Sequence, residues 1–240
     1  MMSTKVEKNS IKTKSKSIYF EFLDYKKVYD DKFYEDYVNN FVKNKRKRYF
    51  YKFVKRCFDF FTSFIAIIVL SPLFLILAIA IKIDSKGPVL FKQVRLGKNK
   101  KQFTIYKFRS MRVDAPHEQM TSQFVNSESY YTKVGGFLRK LSLDELPQLF
   151  NVLLGQMSII GYRPLILAEE KCHAMRDKMG VFEFKPGISG YAQVHGRDDV
   201  YYKNKAIMDA EYVKKASIWF DIKLIFQTVA VVFSKKGNRS

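Results

Sequence analysis

The longest apolar stretch of the chain, residues 60–81, carries no charged side chain, and Ser71 and Pro72 stand near its middle in IAIIVLSPLFLILAIA. At a rise of about 1.5 Å per residue, such a run just crosses a hydrocarbon core of about 30 Å, so its length predicts a spanning helix. Pro72 has no N–H for the carbonyl four residues back, and its ring crowds that turn, which predicts a kink at the midpoint. The Ser71 hydroxyl can satisfy a freed backbone group there. Downstream the period changes. GPVLFKQVRLG and KKQFTIYKFRSM alternate apolar and polar residues between Gly, Pro and Asn, the pattern of two short strands forming a hairpin. From Tyr130 onward helical spacing dominates, most clearly in LSLDELPQLFNVLLGQM, where Leu143, Leu146, Leu149, Phe150, Leu153 and Leu154 recur. KPGISGYAQVHGRDD is rich in turn formers and predicts a loop. SIWFDIKLIFQTVAVVF, with Trp219 at its start, predicts a helix that either lies in a membrane interface or packs on the soluble core. Residues 1–48 open with a polar Lys/Ser/Thr tract, which predicts disorder, and continue into an aromatic stretch with the character of an amphipathic helix. There are no internal repeats.

Charge changes the reading of the apolar run. KNKRKRYFYKFVKR precedes it and KIDSKGPVLFKQVRLGKNKK follows, both dense in Lys and Arg. Basic flanks mark the cytoplasmic side, so two of them argue for a re-entrant helix-break-helix that enters and leaves by one face. A single kinked span and a buried core helix remain the alternatives. With 43 Lys+Arg against 23 Asp+Glu the net charge is +20, which seeks anionic partners: lipid, phosphorylated substrates or nucleic acid. The basic residues crowd the apolar run, which favours anionic membrane lipid over nucleic acid. Cys57 and Cys172 form no metal or redox spacing and read as packing residues in a reducing cytoplasm. The apolar run starts too late for a signal peptide and is expected to stay as the anchor.

The sharpest chemical feature is Asp144-Glu145 in SLDELPQL. Pro147 is tolerated only in a first helical turn, so both acids fall at or next to a helix N-terminus, where the dipole favours their ionised forms. Neighbouring helical residues point about 100° apart, so one carboxylate could attack a substrate while the other holds a metal. Ser142 and Glu145 equally match the S-x-x-E capping box, which would make the acids a plain helix cap. Lys107, Arg109 and Arg112 in YKFRSMR, Arg139 before the acids, Arg163 in GYRP and Arg197 in HGRDD are each compatible with solvated surface charge. Together they could clamp phosphates, to which arginine presents a planar fork. His117, His173 and His195 lack zinc-ligand spacing, and there is no P-loop or G-x-G-x-x-G.

KRCFDFFTSFIAIIVLSPLFLILAIAIK, FKQVRLGKNKKQFTIYKFRSM, LRKLSLDELPQLFNVLLGQMSIIGYRPL and KPGISGYAQVHGR, in this order, resemble the bacterial sugar transferases known as monotopic phosphoglycosyl transferases, from about residue 50 to about residue 235. The resemblance implies an α+β chain with a mainly helical cytosolic domain and a small β-hairpin. Residues 1–48 would be a variable extension, 49–84 a re-entrant membrane helix broken at Ser71 and Pro72, and 85–235 the catalytic domain with a C-terminal interfacial helix. It implies transfer of a sugar 1-phosphate from a UDP-sugar donor to undecaprenyl phosphate, with release of UMP, at the cytoplasmic face of the bacterial inner membrane. This is the first membrane step of capsule, exopolysaccharide, O-antigen or glycoprotein glycan synthesis. Asp144 would be the nucleophile and Glu145 a Mg²⁺ ligand. Arg139 and Arg163 match positions near the phosphates, Arg197 matches a nucleotide-side loop, and Lys107 and Arg109 match a motif with structural or phosphate-contact roles.

The chain departs from the family pattern at Tyr162, where a proline is usual before the arginine, at Gln156, where Asp is common, and at His195, where Asn is common. Two other readings stand beside the enzyme: a membrane-tethered basic nucleic-acid-binding protein, for which no motif speaks, and a non-enzymatic scaffold in which the acids are only caps.

Overall fold

The computed structural model describes residues 27–41, 48–116, 127–196 and 201–233. The polar N-terminal tract lies outside them. The aromatic segment forms helix α1, Asp31–Asn40, capped by the Asp30 carboxylate, which accepts from the Phe33 N–H at 2.8 Å.

Helix α2, Tyr49–Asp84, is the one described helix long and apolar enough to cross a membrane. Only 11% of its most apolar window is covered by the rest of the protein, which removes the buried-core alternative. The helix runs on through Pro72. The carbonyl that Pro72 leaves without an amide partner belongs to Ile68, and the Ser71 hydroxyl donates to that oxygen at 2.8 Å. On either side of Pro72, α2 meets the same short helix, α4 (Gln148–Leu153). Arg56 donates to the carbonyls of Val152 and Leu153 at 2.8 and 2.9 Å, and the Phe74 ring lies 6.0 Å from that of Phe150. Residues from both arms of α2 therefore contact α4.

Strands β1, Leu90–Leu96, and β2, Gln102–Phe108, form the expected antiparallel hairpin, Leu90 opposite Phe108 and Leu96 opposite Gln102. Its turn uses Asn99 in the left-handed conformation (φ 53°), which asparagine tolerates. Residues directly opposite share a face, so Phe91, Gln93 and Arg95 lie with Lys107, Ile105 and Phe103. Phe103 and Ile105 are buried against Val152 and Met157. Phe108 packs with Leu77 and Ile81 of α2 and with Leu138 of α3, Lys133–Lys140.

The expected long helix around the acids is in two pieces, a 3₁₀ turn over Leu143–Glu145 and then α4, because Pro147 admits a helix only from its own position onward. A second pair of strands, β3 (Ser158–Ile160) and β4 (Gly187–Ser189), is parallel. The segment read as a loop, KPGISGYAQVHGRDD, thus contains β4 and helix α6, Tyr191–His195. The three-residue strand is too short for any period to show. It is possible because Gly187 lets the backbones touch: a Cβ there would lie 2.1 Å from the Gly161 nitrogen.

Helices α5 (Glu170–Lys178) and α7 (Tyr202–Lys215) close the core around Tyr162, Leu165, Cys172, Met179 and Val181, and α1 packs against that cluster through Tyr37, Val38 and Phe41. The Tyr34 hydroxyl of α1 donates to Asn204 Oδ1 at 2.8 Å. Both cysteines are free, as read from their spacing; burial pushes the Cys172 thiol up to about 11. Helix α8, Ile218–Phe233, packs one face on the core and leaves the other exposed. Leu224 and Asp221 are buried, Asp221 accepting from Tyr51 and Lys55 of α2 at 2.7 Å each. Its opposite face leaves Trp219 81% and Phe226 71% exposed.

Candidate active site

Ser142 takes the left-handed conformation (φ 57°) and turns the chain from α3 into the 3₁₀ turn that carries the acids. Its side chain makes no cap hydrogen bond, so the capping box is not built. The Glu145 carboxylate instead reaches across to β2, where Lys107 donates to Oε1 at 2.7 Å, and Arg163 Nη1 stands 3.5 Å from the same oxygen. The strand period that buries Phe103 and Ile105 directs Lys107 to this face.

Asp144 is only 7% exposed. Burial pushes its pKa up; Lys107, Arg139 and Arg163 oppose that shift, while the neighbouring Glu145 charge adds to it. This corrects the expectation that a helix dipole sets its ionisation: the acids sit on a 3₁₀ turn ahead of a six-residue helix, and loss of hydration outweighs the dipole. Arg139, in the last turn of α3, lies over the Tyr131 ring at 4.7 Å to its centre.

The other basic residues divide. Arg109 is buried and ties down the chain leaving α2: Nη1 donates to the Lys86 carbonyl at 3.0 Å, and Nη2 to the Ser85 carbonyl at 2.6 Å and hydroxyl at 2.8 Å. Gly87 (φ 123°) leaves room for that guanidinium, since a Cβ would meet Nη1 at 2.1 Å. Arg112 pairs with Asp114 at the exposed surface. Arg197 lies outside the described residues. The three departures from the family pattern have structural places. Gln156 accepts from Asn151 Nδ2 at 2.7 Å, in a network that also ties Asn151 to the backbone of β2. His195 is exposed, its ring centre 4.2 Å from that of Tyr191 at a tilt of 40°. The Tyr162 ring is fully buried beneath Arg176, 5.3 Å from its guanidinium carbon.

Three residues that bear on this arrangement escaped the sequence reading. Arg176 of α5 and Asp209 of α7 form a fully buried ion pair, and Arg176 Nη1 donates to the Arg163 carbonyl at 3.1 Å. The backbone of Arg163 is thus held from behind. No periodicity distinguishes Arg176 from the surface charges beside it in KCHAMRDK. Arg95 was recoverable, because the hairpin register puts it on the face of Lys107.

Asp144, Glu145, Lys107, Arg139, Arg163 and Arg95 line one cavity of about 1470 Å³. Its lining holds more cations than acids and also includes apolar residues, among them Leu146, Ile188 and, from α8, Ile225, Val229 and Val232. Among the described residues no cluster of three or more His, Cys, Asp or Glu could cage a metal. A cation-rich pocket with apolar lining, in a chain that carries a membrane-length helix, has the chemistry to receive an anionic, partly apolar ligand.

The comparisons with known proteins narrow that class. The family profile described as "Bacterial sugar transferase" matches residues 50–235. Over 196 residues the chain is 41% identical to the "Undecaprenyl-phosphate glucose phosphotransferase" of Komagataeibacter xylinus, covering 76% of this chain and 36% of that protein. It is 39% identical over 193 residues to the "UDP-glucose:undecaprenyl-phosphate glucose-1-phosphate transferase" of Escherichia coli (strain K12), covering 78% and 41%. It is 42% identical over 197 residues to the "UDP-N-acetylgalactosamine-undecaprenyl-phosphate N-acetylgalactosaminephosphotransferase" of Aeromonas hydrophila, covering 79% and 46%. The chain spans less than half the length of these relatives. It belongs to the bacterial sugar transferase family.

Proposed function

We propose that this chain transfers a sugar 1-phosphate from a UDP-sugar to undecaprenyl phosphate and releases UMP, as the opening membrane step of a surface polysaccharide. The observation that carries the reading is the burial of Asp144 in a cavity that Lys107, Arg139 and Arg163 also line, together with apolar residues of α8. The names of the relatives support this substrate class, and they differ in the sugar.

The Asp144 carboxylate is the nucleophile. It attacks the sugar-side phosphorus, the bond from that phosphorus to the bridging oxygen breaks, and UMP departs with the bond's electron pair. An oxygen of undecaprenyl phosphate then attacks the same phosphorus, and the Asp144 carboxylate leaves. Two displacements suit a donor that arrives from water and an acceptor that arrives from lipid. Lys107, Arg139 and Arg163 neutralise the phosphate oxygens, the main task in phosphoryl transfer. Partial desolvation makes the Asp144 carboxylate more reactive than one held in water, and the same cations limit how far its pKa rises.

Mg²⁺ fits these residues without a protein cage, because it takes one or two carboxylates and completes its shell with substrate phosphate and water. Glu145, a hard oxygen donor lining the cavity beside Asp144, would hold it. The bound ion would neutralise charge on the diphosphate. Arg109 serves the fold, holding the end of α2.

The membrane helix re-enters on its own side in this reading. Both arms meet α4, both flanks are basic, and Ser71 satisfies the carbonyl that Pro72 frees. The exposed Trp219 and Phe226 of α8 rest in the same cytoplasmic interface, and the basic flanks contact anionic lipid. The test is nucleotide release in detergent with Mg²⁺, undecaprenyl phosphate and a panel of UDP-sugars. UMP appearing with one sugar is expected and names the donor; UDP in its place would mean ordinary glycosyl transfer and overturn the mechanism.

A further inference from the structure

Arg95 stands in the interior of β1, on the hairpin face that also carries Lys107, and it lines the cavity. Its backbone is bridged to Ile166, three residues beyond Arg163. One of its terminal nitrogens donates to Gln93 Oε1, while Nε is sealed from solvent with no hydrogen-bond partner. No carboxylate among the described residues forms an ion pair with it. Burial and the neighbouring Arg163 charge lower its pKa to about 10, against the weaker pull of Glu169 and Glu145. A half-buried guanidinium beside a second one is costly unless an anion joins them.

The order of the charges says which anion. Arg163 Nη1 stands 3.5 Å from Glu145, the residue after Asp144, whereas Arg95 is joined to this region through the bridge of its backbone to Ile166 and makes no ion pair with a carboxylate among the described residues. Arg163 is therefore the guanidinium nearer the acids, and Arg95 the one beyond it. We propose that Arg95, alongside Arg163, binds the phosphate that is not attacked: the phosphate-ester group that departs from, or arrives at, the reacting phosphorus. This rests on the reading under Proposed function and adds a residue to it. The group has two sources of one chemistry. The UMP phosphate leaves from that position, and the undecaprenyl phosphate oxygen attacks from it once UMP has gone.

Arg95→Gln and Arg95→Met test the assignment in the full-length protein, with thermal unfolding in detergent as the control for folding. One arm follows UMP released without acceptor, as a function of UDP-sugar concentration. The other follows lipid product from enzyme already loaded with phosphosugar, as a function of undecaprenyl phosphate concentration. A roughly ten- to hundredfold rise in the concentration needed for half-maximal rate, in either arm, is the expected loss of a charged hydrogen-bond donor, and the arm affected names the source. Arg95→Lys is expected to recover part of it. Unchanged concentration dependence in both arms, or a fall only in maximal rate that tracks lower thermal stability, would overturn the proposal. Calorimetric binding of UMP separates this from the underlying reading. If the wild type releases no UMP from any donor, the transfer reading fails, whereas equal UMP binding by wild type and Arg95→Gln together with an unchanged dependence on undecaprenyl phosphate would sink the Arg95 assignment on its own.

Discussion

Arg176 and Asp209 meet in the interior as one cation and one anion, both about 1% exposed, on helices packed side by side. At the cavity, among the described residues, Lys107, Arg139, Arg163 and Arg95 stand with only Asp144 and Glu145, and Arg95 Nε has no hydrogen-bond partner. The first group is balanced in charge, although Arg176 Nε and Asp209 Oδ1 have no hydrogen-bond partner among the described residues, and the second carries a surplus of cations. A buried pair neutralises its own charge, whereas surplus cations beside a desolvated carboxylate can receive an anion. The two groups are joined at one point, since Arg176 holds the carbonyl of Arg163 while the Arg163 guanidinium reaches Glu145.

The contrast breaks most sharply at Asp144. Asp144→Asn is expected to lower turnover by about a thousandfold or more, without loss of fold. Its pH behaviour sharpens the point. The folded pKa of Asp144 lies above its ordinary 3.8, so between the two values the native state keeps a proton that the unfolded chain has lost. Stability from this site therefore falls as pH rises through that window, and the deficit remains above it. Activity needs the carboxylate and rises with pH through the folded value. Melting temperature and kcat/KM followed across pH should thus move in opposite directions in the wild type, and Asp144→Asn should lose that part of the stability change.

Breaking the balanced pair should cost stability first. Arg176→Met leaves Asp209 buried without its cation and is expected to destabilise the protein by about 3–5 kcal/mol in denaturant unfolding. Combined with Asp209→Leu, most of that stability should return, because neither charge then remains buried alone. Activity should stay low in the double variant, because the Arg163 carbonyl has lost its donor; full activity would mean that the pair has no part in positioning Arg163. The smallest effect is expected at Ser71→Ala, which leaves the Ile68 carbonyl unsatisfied at about 0.5–1.5 kcal/mol and should leave turnover unchanged.

The elements with a strong period were legible in the chain: the apolar run of α2, the alternating hairpin, the helical spacing around α4 and the C-terminal helix. Local covalent chemistry was legible too. Pro72 and Ser71 stand in sequence where their hydrogen-bond bookkeeping takes place, one turn from Ile68. The short parallel pair β3–β4 was hidden, because three-residue strands joined by glycine contacts show no alternation. The acidic pair drew notice by its place before Pro147, yet spacing alone left it open whether the acids were caps or chemistry.

Tertiary structure removes the capping box and places both acids in the cavity. Ser142 turns away from capping, and strand β2, thirty-odd positions upstream, brings Lys107 to Glu145 at 2.7 Å. Sequence by itself determined the anchor, the hairpin and the identity of the acids, because periodicity and proline act over a few neighbouring residues. Only the folded chain decided that Asp144 is buried, that Arg109 serves the backbone and that Arg176 supports Arg163, because burial and charge pairing depend on which distant segments meet.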